Sequence, residues 1–399
     1  MNKIADVVVI GGGVIGCSVA YHLAKRGAKV TVLEKREGLC FGASGSNQGG
    51  VPVSLFLPES PLLELIRASI TLYKSLSQEI GYDIEYQQSG LLVCSVDEKQ
   101  YPYLEKHVQE MQRKGVDIRL LEGDEIRKLE PIIGYDVVAG TEEWESGIVN
   151  PFKVTHGLAY AARKFGAEFI LTTKIYGIEV KENRITSVIT DKGKLATKFI
   201  VATTGAWSLE IGQMVGLTIP VRPQRGQVIV TEPLPLNKRW NYINDADYLN
   251  IAFNADEAGN YENQRIKLGV AGNYIQKDTG TWTIGSSRDF AGYDNQVTME
   301  TTNYLVKRMI QFIPKLKDSN FIRMYAGLRP FCYPDGLPII SEVDNPSGFL
   351  IATGHAGEGV TLAPITGKLI SELITEKKTS LPIDAFRFSR FKDMETEAD

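Results

Sequence analysis

The stretch VVVIGGGVIGCSVAYHLAKRGAKVTVLEK, Val7 to Lys35, constrains the fold more than any other part of the chain. A β-branched run, Val7-Val8-Val9-Ile10, leads into Gly11-x-Gly13-x-x-Gly16, and Ile15, Val19 and Leu23 follow at helical spacing. Gly27 stops that helix, and Val30–Leu33 reads as a second buried strand ending at Glu34. Gly11 makes the tight strand-to-helix turn, Gly13 lets the backbone approach a pyrophosphate, and Gly16 lets the helix lie on the sheet. Phosphates then meet the helix start, with Val14 and Ile15 in its first turn. Glu34 is placed to accept hydrogen bonds from an adenosine ribose, with Lys35 beside it, and an acid there disfavours a 2′-phosphate. The uncharged run is long enough to raise the question of a membrane span. A triple glycine after a strand-like run, preceded by Asp6, argues instead for a dinucleotide fold. A secretory signal has a basic start and a small-residue cleavage site; here Asp6 sits directly before the run, and Lys25-Arg26-Gly27 ends it without such a site.

Composition narrows the class. With 44 basic and 48 acidic residues the chain carries a net charge of −4, which argues against a nucleic-acid partner and makes no electrostatic case for a membrane surface. The four cysteines show no CxxC spacing and the four histidines are scattered, so neither a disulfide framework nor a metal site is expected. The cysteine usage, and a nucleotide motif opening this near Met1, lead us to expect a cytoplasmic protein with no targeting or integral membrane segment.

A length of 399 residues with 43% apolar content suits two domains. Leu62, Leu65, Ile66, Ile70, Tyr73 and Leu76 form one helical stripe, Ser89–Ser95 reads as a strand, and 101–130 reads as a solvated helix pair. Gly147–Val180 reads as a helix followed by a βαβ-like return, and Lys198–Ser208 begins as an apolar strand of the nucleotide sheet. From Pro220 to about Arg323, short β-like runs separated by polar loops predict an antiparallel sheet. The expected architecture is α/β. A discontinuous Rossmann-like nucleotide domain (1–85, 147–220, 325–399) carries an inserted antiparallel-sheet substrate domain (86–146, 221–324).

A second glycine turn refines the nucleotide. Phe349–Thr353 reads as a strand, Gly354-His355-Ala356-Gly357-Glu358-Gly359 as the turn and Thr361–Ile374 as a helix, with Pro364 in its first turn. A second helix start suits a flavin, whose reduced ring carries negative charge that a helix N-terminus stabilises. FAD spans far enough to use both turns.

With the stretch Val7–Lys35, the segments GASGSNQGGV (Gly42–Val51), VATTGAWS, PQRGQV, YAGLRPFCYPDGLPIIS (Tyr325–Ser341), ATGHAGEGVTLAPITGKLI and FSRF (Phe388–Phe391) resemble the family of FAD-dependent amine and amino-acid oxidoreductases. That family includes glycine oxidase, sarcosine oxidase and D-amino-acid oxidases and dehydrogenases. The resemblance implies that Ala43, Ser44, Asn47, Gln48, Gly49 and Gly50 wrap the pyrophosphate and flavin edge. It also implies that Ile175 meets the adenine and that Thr204, Gly205 and Trp207 pass under the cofactor, although Trp207 fits a core position equally well. Gly354, Gly357, Glu358, Gly359, Val360 and Thr361 are expected around the flavin. Arg329, in the same family position, is implied to contact cofactor and substrate, gripping a substrate carboxylate as a bidentate fork so that Cα–H lies over flavin N5; the alternative is a structural arginine at the adjacent turn. Arg222 and Arg225 stand next in line. His355 either orients substrate or flavin or is satisfied within its turn.

The implied reaction is oxidation of a small amino acid or secondary amine (glycine, sarcosine, proline or D-amino-acid type) to an imine by hydride transfer to the flavin. Two departures qualify it. Glycine oxidase carries a second arginine in the turn matching Gly354–Gly359, and this chain has none there. Some sarcosine oxidase relatives bind FAD through a cysteine, which Cys332 matches poorly, so non-covalent FAD is expected. The GHAGEGVTLAP form also resembles the catalytic subunits of opine, hydroxyproline and cyanide-forming dehydrogenases, which pass electrons to a partner subunit. A 2-hydroxy acid as the substrate is a further alternative on the same fold.

Overall fold

In the computed structural model, residues 3–56, 58–234, 240, 242–251 and 264–391 are described. Of the expected substrate domain, 235–239, 241 and 252–263 lie outside them, as do 1–2, 57 and 392–399 of the expected nucleotide domain.

Val7–Ile10 is a fully buried strand of a six-stranded sheet. The order across that sheet is Ile339–Glu342, Phe349–Thr353, Phe199–Ala202, Val7–Ile10, Val30–Leu33, Glu168–Ile170. All neighbours are parallel except the first pair. Strands of a parallel sheet are covered on both faces, which is why VVVI, VTVL and FLIAT are continuous apolar runs rather than alternating ones. Helix Val14–Lys25 packs on helices Pro151–Lys164 and Gly359–Thr375. The second crossing is close because position 367 is glycine: a Cβ there would lie 2.2 Å from Ser18 Oγ.

Helix Gly359–Thr375 begins two residues earlier than expected, so Pro364 falls in its second turn rather than its first. Proline removes the N–H that would bond the carbonyl four residues back, at Val360, and its ring crowds that turn. Tyr73 Oη donates to Val360 O at 2.6 Å and Ser69 Oγ to Thr361 O at 2.6 Å. Both donors come from the buried stripe of helix Leu62–Ile80, so the neighbouring helix satisfies what the proline leaves open.

The return after helix Pro151–Lys164 splits. Glu168–Ile170 joins the edge of the parallel sheet, and Ile175–Lys181 leaves it for a four-stranded sheet with Arg184–Thr190, Gly193–Ala196 and Lys3–Ile4. An eight-stranded sheet carries the other layer, in the order Phe321–Cys332, Val221–Thr231, Trp282–Gly285, Asn273–Gln276, Tyr242–Asp245, Leu91–Ser95, Ala139–Glu143, Ile118–Glu122. Its neighbours are antiparallel except for Tyr242–Asp245 with Leu91–Ser95. The stretch 101–130 is not a simple helix pair. Strand Ile118–Glu122 lies between helices Tyr101–Arg113 and Gly123–Leu129 and pairs with Ala139–Glu143. Only Ile118 and Leu121 of this strand are buried, and its charged neighbours hide so short a signal.

Val221–Thr231 and Phe321–Cys332 form the longest pairing, with Gln224 opposite Arg329 and Gly226 opposite Gly327. The second of these strands runs straight through position 325. Among the described residues no helix is long and apolar enough to cross a membrane, and no cluster of His, Cys, Asp and Glu could hold a metal ion.

Candidate active site

A cavity of about 550 Å³ opens at the carboxyl ends of the parallel strands, where Ile10, Leu33 and Thr353 reach its wall. This is where open α/β sheets bind nucleotides. Gly11, at φ +113°, turns the chain out of the first strand; a Cβ there would lie 2.7 Å from Thr203 O. Gly13, Val14 and Ile15 line the cavity beside Ala43 and Ser44, and Ser44 Oγ accepts from Val14 N at 3.0 Å. Asn47 ties the Gly42–Val51 segment to the second glycine turn. Its Oδ1 accepts from Gly49 N at 2.7 Å and its Nδ2 donates to Gly357 O at 3.0 Å. From the second turn, His355, Gly359 and Val360 reach the same cavity. Two helix starts therefore face one space, and both favour negative charge.

Glu34 also lines the cavity. Its Oε2 accepts from Gly12 N at 2.6 Å and its Oε1 from Arg36 N at 2.8 Å, which fixes the carboxylate. Lys35 Nζ sits 3.8 Å from the centre of the Trp207 ring, which stacks on Tyr293. Ile175, Thr204 and Gly205 complete this end. Glu34→Ala should weaken FAD retention by about 1–3 kcal/mol, the range for a hydrogen bond to a charged group. Fluorimetric titration of apoprotein checks this, and unchanged affinity would remove Glu34 from the ribose.

The remaining expected residues sit elsewhere, for steric reasons. Gly16, Gly49 and Gly354 serve close packing rather than lining the large cavity. A Cβ at each would lie 2.0 Å from Gly11 O, 2.1 Å from Val149 O and 2.9 Å from Cys332 Cβ, respectively. Gln48 is carried across to the eight-stranded sheet, where Nε2 donates to Asn273 O and Thr283 O. Gly50 leaves room for the Tyr242 hydroxyl, 2.6 Å from where its Cβ would be. Gln48, Gly50, Gly357, Glu358 and Arg329 thus line a second, smaller cavity of about 60 Å³, while Asn47 borders both. Thr361 lines neither; its Oγ1 donates to Glu358 Oε2 at 3.2 Å.

Arg329 lies flat over Gly226, where a Cβ would clash with its guanidinium at 2.2 Å, and its Nη1 donates to Ser287 O at 2.8 Å. Burial, reinforced by the neighbouring charge of Arg288, pushes it down to about 10. Arg288 is itself buried, with its guanidinium carbon 4.1 Å from the centre of the Tyr248 ring, and its Nη1 has no hydrogen-bond partner. Burial raises the carboxyl of Glu358, while Thr361, Arg288, Arg329 and Tyr248 pull it back. Arg225 is bound to Asp289 at 2.6 Å and Asp294 at 2.7 Å, and Arg222 lies over the Tyr333 ring; neither lines this cavity. His355 is buried, its Nε2 is 3.1 Å from Thr366 Oγ1, and burial lowers it to about 3, so it stays neutral. Cys332 is a buried core residue whose thiol burial pushes up to about 12.

Arg288, Tyr248 and Tyr242 were not anticipated. Ser286-Ser287-Arg288-Asp289, small residues ahead of an Arg-Asp pair at a strand end, is the one local signal that pointed to Arg288. The tyrosines carry none.

The large cavity, its two helix starts and its glycine cradle fit FAD, and comparison with known proteins agrees. The profile described as "FAD dependent oxidoreductase" (DAO) matches residues 6–373. The chain is 30% identical to hydrogen cyanide synthase subunit HcnC of Pseudomonas aeruginosa, over 98% of this chain and 97% of that one. It is 27% identical to glycine oxidase of Geobacillus kaustophilus, over 96% and 97%. The solved glycine oxidase from that organism superposes with a TM-score of 0.87 at 25% identity, covering 98% of this chain and 99% of the other. L-proline dehydrogenase from P. horikoshii superposes with a TM-score of 0.86 at 26% identity, covering 99% of each. The chain belongs to the DAO family of FAD-dependent oxidoreductases, and FAD is its cofactor.

Proposed function

We propose that this enzyme oxidises a small amino acid or secondary amine, of the glycine, sarcosine, proline or D-amino-acid type, at its CH–NH or CH–NH2 bond to give an imine. One observation carries the reading. Arg329 and the buried carboxylate Glu358 line a cavity of about 60 Å³ that shares Asn47 and Ala43 with the dinucleotide cavity, and a second buried guanidinium, Arg288, lies next to Glu358 beside it, so that two positive charges act on one negative charge. Surplus buried positive charge calls for an anionic partner, and the planar fork of Arg329 suits a carboxylate. The small volume favours a compact substrate.

Gly11, Gly13, Ser44, Glu34 and the start of helix Gly359–Thr375 would hold FAD. Bound FAD supplies the two-electron acceptor for the hydride that leaves Cα. The chain's own task is positional: Arg329 fixes the carboxylate, and a fixed carboxylate makes the transfer effectively intramolecular. Tyr242 and Tyr248 wall the site against water, and neutral His355 supports the second turn. In this reading the six-stranded sheet with its helices is the cofactor module and the eight-stranded sheet the substrate module. Four unpaired, buried cysteines accord with a cytoplasmic setting.

Similarity to a cyanide synthase subunit over nearly the whole chain favours a second reading, in which electrons pass to a partner subunit rather than to oxygen. Anaerobic mixing with a panel of amino acids, secondary amines and 2-hydroxy acids tests the first reading: an amine should bleach the flavin. Reoxidation by air against an artificial acceptor then separates oxidase from dehydrogenase. Acid denaturation should release the FAD into solution; flavin left on the chain would reject non-covalent binding.

A further inference from the structure

We infer that Glu358 accepts the ammonium proton of the bound substrate. The inference rests on the reading of the site as an amine-oxidising one. A hydride can leave Cα only as the nitrogen lone pair forms the C=N bond, and an ammonium has no lone pair. The proton must therefore go before the hydride does, and the cavity offers few places for it. Among the described residues lining the Arg329 cavity there is no histidine and no lysine, and Glu358 is the sole carboxylate. The other titratable groups there are Arg329, which is a cation, and Tyr242 and Tyr248, whose hydroxyls burial holds in the protonated form.

The surroundings suit a carboxylate that must be ionised at rest and able to take a proton. Glu358 caps helix Gly359–Thr375, where negative charge is favoured. Its side chain is buried and receives a hydrogen bond from Thr361 at 3.2 Å. Tyr248 faces it from the helix Asp247–Ile251, Arg329 from the long strand, and Arg288 from the segment after Trp282–Gly285; all three attractions oppose the effect of burial. The neighbouring Gly357 shows how the groups converge: a Cβ there would lie 3.7 Å from both Arg329 Nε and the Tyr248 hydroxyl. A substrate with its carboxylate on Arg329 brings its nitrogen into this same small space. The step balances: carboxylate and ammonium become carboxylic acid and neutral amine. The amine then gives up a hydride, which carries both electrons, to the bound FAD and leaves as the iminium, and Glu358 returns its proton to solvent with product release.

The test is the pH profile of anaerobic flavin reduction for wild type, Glu358→Gln and Glu358→Asp, together with the binding of acetate, a carboxylate without an amine. Glu358→Gln should lose about a hundredfold or more at neutral pH, in the range of a lost general base. Its rate should then climb about tenfold per pH unit towards the pKa of the free amine, because solvent now removes the proton. Wild type should be flat over that range, and Glu358→Asp should keep the wild-type shape at a lower rate. Acetate should bind Glu358→Gln no more weakly than wild type, since Arg329 remains. A Glu358→Gln profile of wild-type shape, or an equal loss at all pH values with weakened acetate binding, overturns the inference alone. A wild type whose flavin no amine reduces overturns the functional reading and the inference with it.

Discussion

Arg329→Lys lowers the rate of flavin reduction by an amino acid on the order of a hundredfold and raises the apparent substrate constant, while FAD stays bound. Lysine keeps the charge but not the planar fork, so the carboxylate loses one of two hydrogen bonds and its fixed orientation. A misplacement of about 1 Å at the reacting carbon is enough for a loss of that size. Arg329 does not line the large cavity, which is why cofactor affinity should not follow. The guanidinium also packs on Gly226 and binds Ser287 O at 2.8 Å. Gly226→Ala should therefore act in the same direction by pushing the fork aside. The measurement is anaerobic single-turnover reduction with one amino acid and with its decarboxylated amine. Loss confined to the amino acid supports the carboxylate grip, whereas equal losses for both make Arg329 a structural residue.

Gly16→Val yields protein that does not retain FAD. A Cβ at this position would stand 2.0 Å from Gly11 O and 2.7 Å from Thr203 Oγ1. Gly11 O belongs to the turn that shapes the phosphate site, and Thr203 Oγ1 is held by Ile10 O at 2.8 Å, so neither obstacle is a loose side-chain end. The helix start has to move away from the strand, and overpacking of this kind costs at least about 1–3 kcal/mol in stability as well. Flavin per chain after purification and the melting temperature read out the two effects. A yellow variant of normal stability would mean that the helix and strand are not in such close contact.

The nucleotide half of the molecule was legible because its chemistry needs residues close together in sequence. A strand, three glycines, a helix and an acid fit within Val7–Glu34, and parallel strands buried on both faces announce themselves as apolar runs. The substrate half was legible only in outline. Tyr242 comes from a strand, Tyr248 from a short helix and Arg288 from the segment after Trp282–Gly285, and long-range sheet register, which leaves no local periodicity, brings them to Arg329. The strand Ile118–Glu122 was masked by charged neighbours, and Pro364 was misplaced by a turn because its tolerance depends on Tyr73 and Ser69 of another helix. Glu358 was expected around the flavin, whereas it lines the Arg329 cavity; the direction of its side chain follows from the shape of its turn. Arg329 owed its assignment to resemblance.

In the six-stranded sheet, Phe349–Thr353 pairs with Phe199–Ala202, which lies beside Val7–Ile10. The cofactor cavity is therefore built by the first and the last parts of the described chain together. A ribosome delivers the amino end first. The nascent protein carries its phosphate loop well before its second glycine turn, and has no enclosed pocket until the helix at Gly359 has emerged. Flavin capture thus waits for the second glycine turn, and a chain interrupted before Phe349 leaves the ribosome colourless, with the parallel sheet open where Phe349–Thr353 would pair, as a substrate for quality-control proteases rather than as a partly working enzyme.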